Sequence, residues 1–300
     1  MRAVVYTQYG EPDVLSVGEV EEPHAGRGQV RIAVRAASVN PLDWKQVSGM
    51  MAGGRAPDGP TVPGYDAAGV VDEVGDGTTG VQVGDPVFGL TSGAAAAEYA
   101  VLTAWAPKPP NVSFEVAAGL GVTGETAVRV LDLLGLAPGR TVVVDGASGG
   151  VGTVTVQVAV SRGLGVIGTS SPANADFVRS LGALPTTYGE GLVDRVREIA
   201  PDGVHGGIDT AGKGSVRDLV ALTGDPGKVV TIADFGAAEL GVQVTTSNAG
   251  AAPRLAEVAA LVTQGRLELP VAGTYPFEQA AEAYRVSREG HVRGKLVLTP

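Results

Sequence analysis

The chain changes its hydrophobic rhythm partway along. Up to about residue 110, apolar residues come in short runs of strand period, with successive side chains on opposite faces. Val30, Ile32 and Val34 share one face of the run 30–39. Residues 3–6 and 67–74 form two more runs, the second closed by Gly75-Asp76-Gly77. The segment 81–88 carries a tight turn at Gly84-Asp85. Glycine, proline and aspartate interrupt the pattern about every 8–12 residues, which predicts a small all-β barrel. Residues 50–60, MMAGGRAPDGP, predict a mobile surface loop.

Beyond this stretch the period lengthens. Residues 112–134 read as a helix, with Ser113 as N-cap and Gly135 just past the end. Strands at 142–144, 166–169, 207–209 and 229–232 then alternate with helices, among them 174–181, 192–199 and 216–222. Such a βαβ series predicts a doubly wound parallel sheet, with its ligand crevice at the carboxyl ends of the strands. Residues 254–264 and 277–289 are further amphipathic helices, and 295–298 is a closing strand.

The junction after residues 142–144 is the most informative. Gly146-Ala147-Ser148-Gly149-Gly150-Val151-Gly152 follows an apolar run, as in a strand, loop and helix that lie against a phosphate. Gly149 has no Cβ to hold a pyrophosphate off, and Gly152 lets the next helix pack close to the strand. The N–H groups opening that helix would face the anion, aided by the helix dipole. Ala147 replaces the first glycine of the usual GxGxxG, so the cluster also fits a plain turn. Val154, Val156, Val158 and Val160 alternate at strand period, whereas Val151, Val154 and Val158 keep helical spacing. β-Branched residues cost a helix only about a few tenths of a kcal/mol each, and a phosphate loop requires a helix here. The segment is therefore predicted helical.

Composition narrows the classes. The 300 residues, 44% of them hydrophobic, suffice for two domains. A net charge of −10 argues against a nucleic-acid or anionic-membrane surface. The absence of cysteine excludes disulfides, thiolate metal ligands and a cysteine nucleophile, and fits a reducing compartment. The histidines, His24, His205 and His291, lie far apart. No apolar run approaches the ~18 residues of a membrane span, and MRAVVYTQYG lacks a signal-peptide core. These features together predict a soluble cytoplasmic protein.

About 20 residues beyond a dinucleotide loop, an acid normally meets the ribose. Thr169-Ser170-Ser171 stands there instead. An Asp or Glu would repel a 2′-phosphate, whereas hydroxyls leave room for it, which favours NADPH over NADH. Ser170 and Ser171 equally fit the start of the next helix. No lysine or arginine follows immediately, and Asn174, Arg179 and Tyr188 are the candidate donors.

Six stretches, in order, resemble a medium-chain dehydrogenase/reductase of the zinc-independent quinone oxidoreductase (ζ-crystallin-like) family. They are VNPLDWKQVSG (39–49), PGYDAAGVVDEVG (63–75), VGDPVFG (83–89), VTGETA (122–127), GASGGVG (146–152) and GHVRGKLVL (290–298). The resemblance runs nearly end to end, and order and spacing carry it. It implies an α/β chain with a GroES-like β-barrel catalytic domain over 1–115 and 266–300, and a Rossmann dinucleotide-binding domain over 116–265. It also implies NADPH, hydride transfer to a quinone or α,β-unsaturated carbonyl without a metal, and a homodimer paired through the edge strand 242–245.

In zinc-dependent relatives a thiolate and an imidazole occupy motif positions that here are Asn40 and Tyr65, so no catalytic zinc is expected. The resemblance places Asn40 in the substrate site. The tyrosine that usually follows falls on Met51, which leaves Tyr65, Lys45 or solvent as the proton donor. Each has a second reading: Asn40 as a turn before Pro41, Tyr65 as a core aromatic, Lys45 as a solvated charge. Met50 and Met51 read as an apolar lid, and Asp43 and Asp66 as backbone anchors that need not titrate.

For the cofactor, the resemblance sets Ala147, Ser148, Gly149, Gly150, Val151 and Gly152 at the diphosphate. Thr169, Ser170, Ser171, Asn174 and Tyr188 fall around the adenosine ribose. Thr123 is placed at the nicotinamide ribose, with a helix cap as its alternative. Thr231, Ile232 and Ala233 meet the nicotinamide amide. Lys295, grouped with Arg288 and Arg293, is a candidate for the 2′-phosphate or a solvated face. Two other functions stay open: an ene-reductase tailoring one biosynthetic intermediate, and a nucleotide-binding scaffold or sensor with little turnover, which the Met51 departure motivates.

Overall fold

The short apolar runs pair into antiparallel sheet. In the computed structural model, which describes residues 1–246 and 249–300, β1 (Arg2–Val5) pairs with β2 (Ser16–Glu19). There follow β3 (Val30–Val39), α1 (Pro41–Val47), β4 (Asp66–Val74), β5 (Pro86–Thr91) and β6 (Tyr99–Pro107). β3 pairs with β4, β4 with β5, β5 with β6, and β6 with β3, closing a barrel without a free edge among these four strands. The alternation along β3 turns Val30, Ile32 and Val34 inward against Val71, Val87 and Leu102.

α1 interrupts the all-β expectation. Pro41 opens it with the φ a first helical turn needs. The Asn40 N–H donates to Asp43 Oδ2 at 2.7 Å, and the Asp43 N–H donates back to Asn40 O at 3.0 Å.

α2 (Phe114–Leu134) begins as expected, with Ser113 Oγ accepting from the Val116 N–H at 3.4 Å. The chain forms two compact units, and α2 runs from one into the other. The first holds Met1–Val122, Gly250–Thr263 and Leu269–Pro300; the second holds Thr123–Ala249 and Gln264–Glu268.

The second unit contains β7 (Thr141–Asp145), α3 (Gly150–Ser161), β8 (Gly165–Ser170), α4 (Ala175–Ser180), β9 (Leu184–Thr187) and α5 (Leu192–Ile199). It continues with β10 (Gly206–Asp209), α6 (Val216–Thr223), β11 (Val229–Thr231) and β12 (Gln243–Val244). All six strands are parallel, in the order β12-β11-β10-β7-β8-β9. The chain winds outward from β7 in both directions, so its topological switch lies beside the carboxyl end of β7. α3 is helical despite its alternating valines. Val154, Val156 and Val158 are all fully buried, so this helix is covered on more than one side and needs no single apolar stripe.

The chain then returns. α7 (Ala251–Thr263) packs on β6, and the Asn111 amide donates to Val262 O at 2.9 Å. β13 (Val271–Pro276), α8 (Ala280–Glu289) and β14 (Lys295–Thr299) complete the first unit. β14 pairs antiparallel with β3 and parallel with β13, which extends the barrel sheet. α8 buries Ala283 and Tyr284 against Val4, Val39 and Leu298. No helix among the described residues is long and apolar enough to cross a membrane.

Residues 264–268 are held to the second unit by the Arg266 guanidinium, which donates to Ser161 O at 3.2 Å, and by one side chain of α3. Gln157, on α3, donates to Glu268 O at 2.8 Å and accepts from the Glu268 N–H at 2.9 Å. Replacing Gln157 with leucine leaves that peptide group unsatisfied and is expected to cost about 1–3 kcal/mol. The check is a lower urea midpoint with an unchanged m-value.

Candidate active site

Four side chains of the barrel unit meet in a buried polar cluster. Asn40 is at its centre, at the junction of β3 and α1. Its Nδ2 donates to Asp66 Oδ1 at 2.7 Å and reaches Ser38 Oγ at 3.5 Å, while its Oδ1 accepts from Lys295 Nζ at 2.7 Å. The same ammonium donates to Val39 O at 2.7 Å. The second Asp66 oxygen accepts from the Val122 N–H at 2.7 Å. Asn40, Asp43, Asp66 and Lys295 are all buried.

Asn40, which the resemblance places in the substrate site, has its amide committed at both ends, to Asp66 and to Lys295. The reading of Lys295 as a phosphate base is corrected. It does not share a surface with Arg288, which pairs with Glu11; its own ammonium is buried and bonded inside the barrel.

Burial sets the charge of this cluster. Burial raises the Asp66 carboxyl, opposed by Lys295, by the Val122 N–H and by Asn40. Burial lowers the Lys295 ammonium, and the charges of Asp66 and Asp43 pull it back up. Asp43 has only one strong partner, the Asn40 N–H on Oδ2; its Oδ1 is buried with no hydrogen-bond partner. Burial foremost, then the charge on Asp66, pushes Asp43 up to about 8. Asp43 is thus more than an anchor that need not titrate. Tyr65 is half-buried, and its phenol is raised by desolvation and by the charge on Asp43. Lys45 instead reaches over the Trp44 ring, 5.7 Å from its centroid.

In the second unit, the loop between β7 and α3 has the shape a diphosphate requires. Gly149 is the extended N-cap residue, with φ −76° and ψ 175°, and no side chain caps the helix. The first intrahelical bond is from the Thr153 N–H to Gly149 O at 2.8 Å, so the N–H groups of Gly150, Val151 and Gly152 precede the ladder. A Cβ on Gly152 would stand 2.1 Å from Gly146 O, so only glycine allows this approach of helix to strand. The Asn174 amide donates to Ser148 Oγ at 3.3 Å, which brings two of the predicted residues together. Ala147 is buried, and its N–H is taken by Thr169 O at 2.9 Å.

Thr169 faces inward. Its hydroxyl accepts from the Gly146 N–H at 3.0 Å and donates to Asp145, so it braces the loop rather than presenting a hydroxyl to a ribose. Ser170 is buried and donates to Ser171 O at 3.0 Å. Ser171 is partly exposed and Tyr188, just past β9, is exposed, both at the same end of the sheet. Thr123 lies in the middle of α2, which removes its helix-cap reading.

Thr231 ends β11, with its hydroxyl donating to Asp209 Oδ2 at 2.6 Å and accepting from the N–H groups of Ala233 and Asp234. Ile232 and Ala233 follow at the strand end, the Ile232 N–H donating to Asp209 O at 3.1 Å. Asp209 also accepts from the N–H groups of Ala211 and Gly212. Sequence reasoning missed Asp145 altogether: it is buried at the end of β7, and burial raises its carboxyl. Its place as the last residue of the apolar strand before the glycine loop was the available signal. Among the described residues, no group of three or more acidic or histidine side chains is placed to hold a metal ion.

Comparison with known proteins agrees with this architecture. A family model described as the alcohol dehydrogenase GroES-like domain matches residues 26–132, and one described as zinc-binding dehydrogenase matches 181–298. The chain is 33% identical to the NADPH-dependent alkenal/one oxidoreductase of Arabidopsis thaliana, over 100% of its length and 80% of that protein. It is 30% identical to the quinone oxidoreductase of Rattus norvegicus, covering 99% of this chain and 97% of that one. It is also 34% identical, over 91% of its length, to the spectinabilin polyketide synthase system protein NorB of Streptomyces orinoci, and spans only 13% of that protein. A mycobacterial structure complexed with NADPH superposes with a TM-score of 0.87 at 28% identity, covering 100% of both chains. The chain belongs to the medium-chain dehydrogenase/reductase superfamily, in its quinone oxidoreductase family.

The raised Asp43 carboxyl has a consequence for stability. Unfolded, this acid loses its proton near ~3.9; folded, it holds the proton up to about 8. Its contribution to stability therefore falls as pH rises through that window, by at most about 1.4 kcal/mol per pH unit. The lowered Lys295 acts with the opposite sign toward the alkaline end. Asp43→Asn removes the first effect alone. Urea unfolding of both proteins at pH 5, 6.5 and 8 should show the variant gaining on the wild type as pH rises.

Proposed function

We propose that this protein is an NADPH-dependent reductase that delivers hydride to a quinone or an α,β-unsaturated carbonyl without a metal. The uncapped N-terminus of α3 beside the switch point, with Ser170-Ser171 in place of an acid at the end of β8, carries this reading. The relatives named for quinone and alkenal reduction support it.

The bound nicotinamide would supply the hydride. The N–H groups of Gly150, Val151 and Gly152 take the diphosphate, and Ser148, with Asn174 on its hydroxyl, lines the same loop. Ser171 and Tyr188 border the space for a 2′-phosphate. The Ile232 and Ala233 N–H groups are already bonded within the protein, so the backbone at this strand end offers carbonyls to the nicotinamide amide. Of Tyr65, Lys45 and solvent, we assign the proton to Tyr65, a half-buried phenol, since Lys45 lies over the Trp44 ring.

The likeness to a stretch of NorB favours a second reading: an ene-reductase that acts on one biosynthetic intermediate. An acceptor panel separates the two, since broad activity on simple quinones counts against the second. Nucleotide binding without acceptor-dependent turnover would sink both.

The edge position of β12 further supports a homodimer formed by continuing the parallel sheet. The absence of cysteine suits the cytoplasm. A single-chain mass in solution would exclude the dimer.

Ser171→Asp places a carboxylate where the 2′-phosphate is expected. NADPH affinity should fall at least about tenfold, with NADH affinity held or improved, as read by fluorescence titration of each reduced nucleotide.

A further inference from the structure

A 2′-phosphate at the end of β8 needs a cation, and the sequence supplies none directly after Ser171. Of the donors it offers nearby, Asn174 is neutral. Arg179, on α4, is already cancelled: it pairs with Asp176 on an exposed helical face. The fold brings a different arginine to this end of the sheet.

Arg195 belongs to α5, which buries Leu192 and Val196. Its guanidinium folds back over the turn that joins β9 to α5. Nη2 donates to Thr187 O at 2.8 Å and reaches Tyr188 O at 3.5 Å, while Nη1 donates to Glu190 O at 2.7 Å. Thr187 is the residue opposite Ser170 in the parallel pairing of β8 with β9. Neighbouring strands lie about 4.8 Å apart, so the guanidinium is anchored to the strand next to Ser170-Ser171. Gly191 makes this reach possible. It is left-handed, with φ +75°, and a Cβ there would stand 2.9 Å from Arg195 Nη1.

The acceptors of this arginine are neutral carbonyls. Among the described residues no carboxylate pairs with it, and its Nε–H is enclosed without a partner. A carboxylate would cancel the charge at a distance; carbonyl dipoles hold the planar fork and leave the charge in place. The side chain is partly buried, so solvent ions screen it less than they would a free surface cation.

We propose that Arg195 is a positioning residue that selects NADPH over NADH: it holds the β9–α5 turn by its carbonyls and sets an uncancelled positive charge behind the place where the 2′-phosphate meets Ser171. This rests on the reading of Ser171 and Tyr188 as the border of that phosphate. The 2′-phosphate dianion gains from the charge, whereas the neutral 2′-hydroxyl of NADH does not. The shape of the turn serves both nucleotides; the preference between them follows the charge.

Fluorescence titration of Arg195→Gln with NADPH and with NADH separates charge from shape. NADPH should bind about tenfold more weakly than to wild type, with NADH affinity unchanged. Added salt should weaken NADPH binding by wild type more steeply than by the variant. Arg195→Lys, which keeps the charge and loses the fork, should retain the preference for NADPH. An equal loss for both nucleotides would show that Arg195 only shapes the turn and would overturn the proposal, as would a preference unchanged in Arg195→Gln. If Arg195→Gln does not fold, Arg195→Lys decides: a persisting preference supports the charge, and its collapse overturns it. Ser171→Asp keeps the underlying reading apart. If that change leaves NADPH affinity intact, the phosphate does not lie at Ser171, and the proposal falls with that reading. If it abolishes the preference and Arg195→Gln does not, the role of Arg195 alone fails.

Discussion

The amide of Asn40, held between an ammonium and a carboxylate, is the interaction the barrel unit depends on. Lys295 and Asp66 are both out of solvent, and isolated ions there would cost several kcal/mol each. The amide lets opposite charges neutralise each other through two hydrogen bonds, without contact. It also joins three distant parts of the chain: the start of α1, the start of β4 and the start of β14. Loss of one member strands a buried charge, an event typically worth about 3–5 kcal/mol. The cluster therefore ties the end of the chain to its first third. It also leaves Asp43 as an acid that its surroundings keep neutral.

The second unit uses its buried acids differently. Asp145 and Asp209 stand at the carboxyl ends of neighbouring strands, where an anion would repel a phosphate if it faced outward. Each is turned inward and covered: Asp145 by the Thr169 hydroxyl, and Asp209 by Thr231 and the N–H groups of Ala211 and Gly212. Their work is to hold the strand-end turns in shape. What remains for a ligand is backbone, above all the opening of α3, where N–H groups and the helix dipole favour an anion. Threonines brace the carboxylates so that glycines can meet the phosphate.

The two units thus treat buried charge in complementary ways. In the second, acids are satisfied by neutral donors, which keeps the crevice rigid and hospitable to an anion. In the first, one acid, Asp43, is left short of donors, with a bare buried oxygen.

Much of the architecture was legible because its signals are local. The alternation along 30–39 is β3, and the glycine loop announced α3 even against alternating valines, since phosphate geometry demands backbone that only glycines allow. β9, with the sequence LPTT, and β13, VAGTYP, carried no such signal; pairing with β8 and β14 makes them strands. α1 hid behind its proline motif. The inner site was illegible for a different reason. Lys295 sits in sequence beside Arg293 and reads as one of a basic surface group. The pairing of β14 with β3 carries it beneath Asn40, 255 positions away. Donor count followed the same rule: Asp43 and Asp66 look alike in one dimension, but in the folded barrel both oxygens of Asp66 meet donors while one oxygen of Asp43 is left bare.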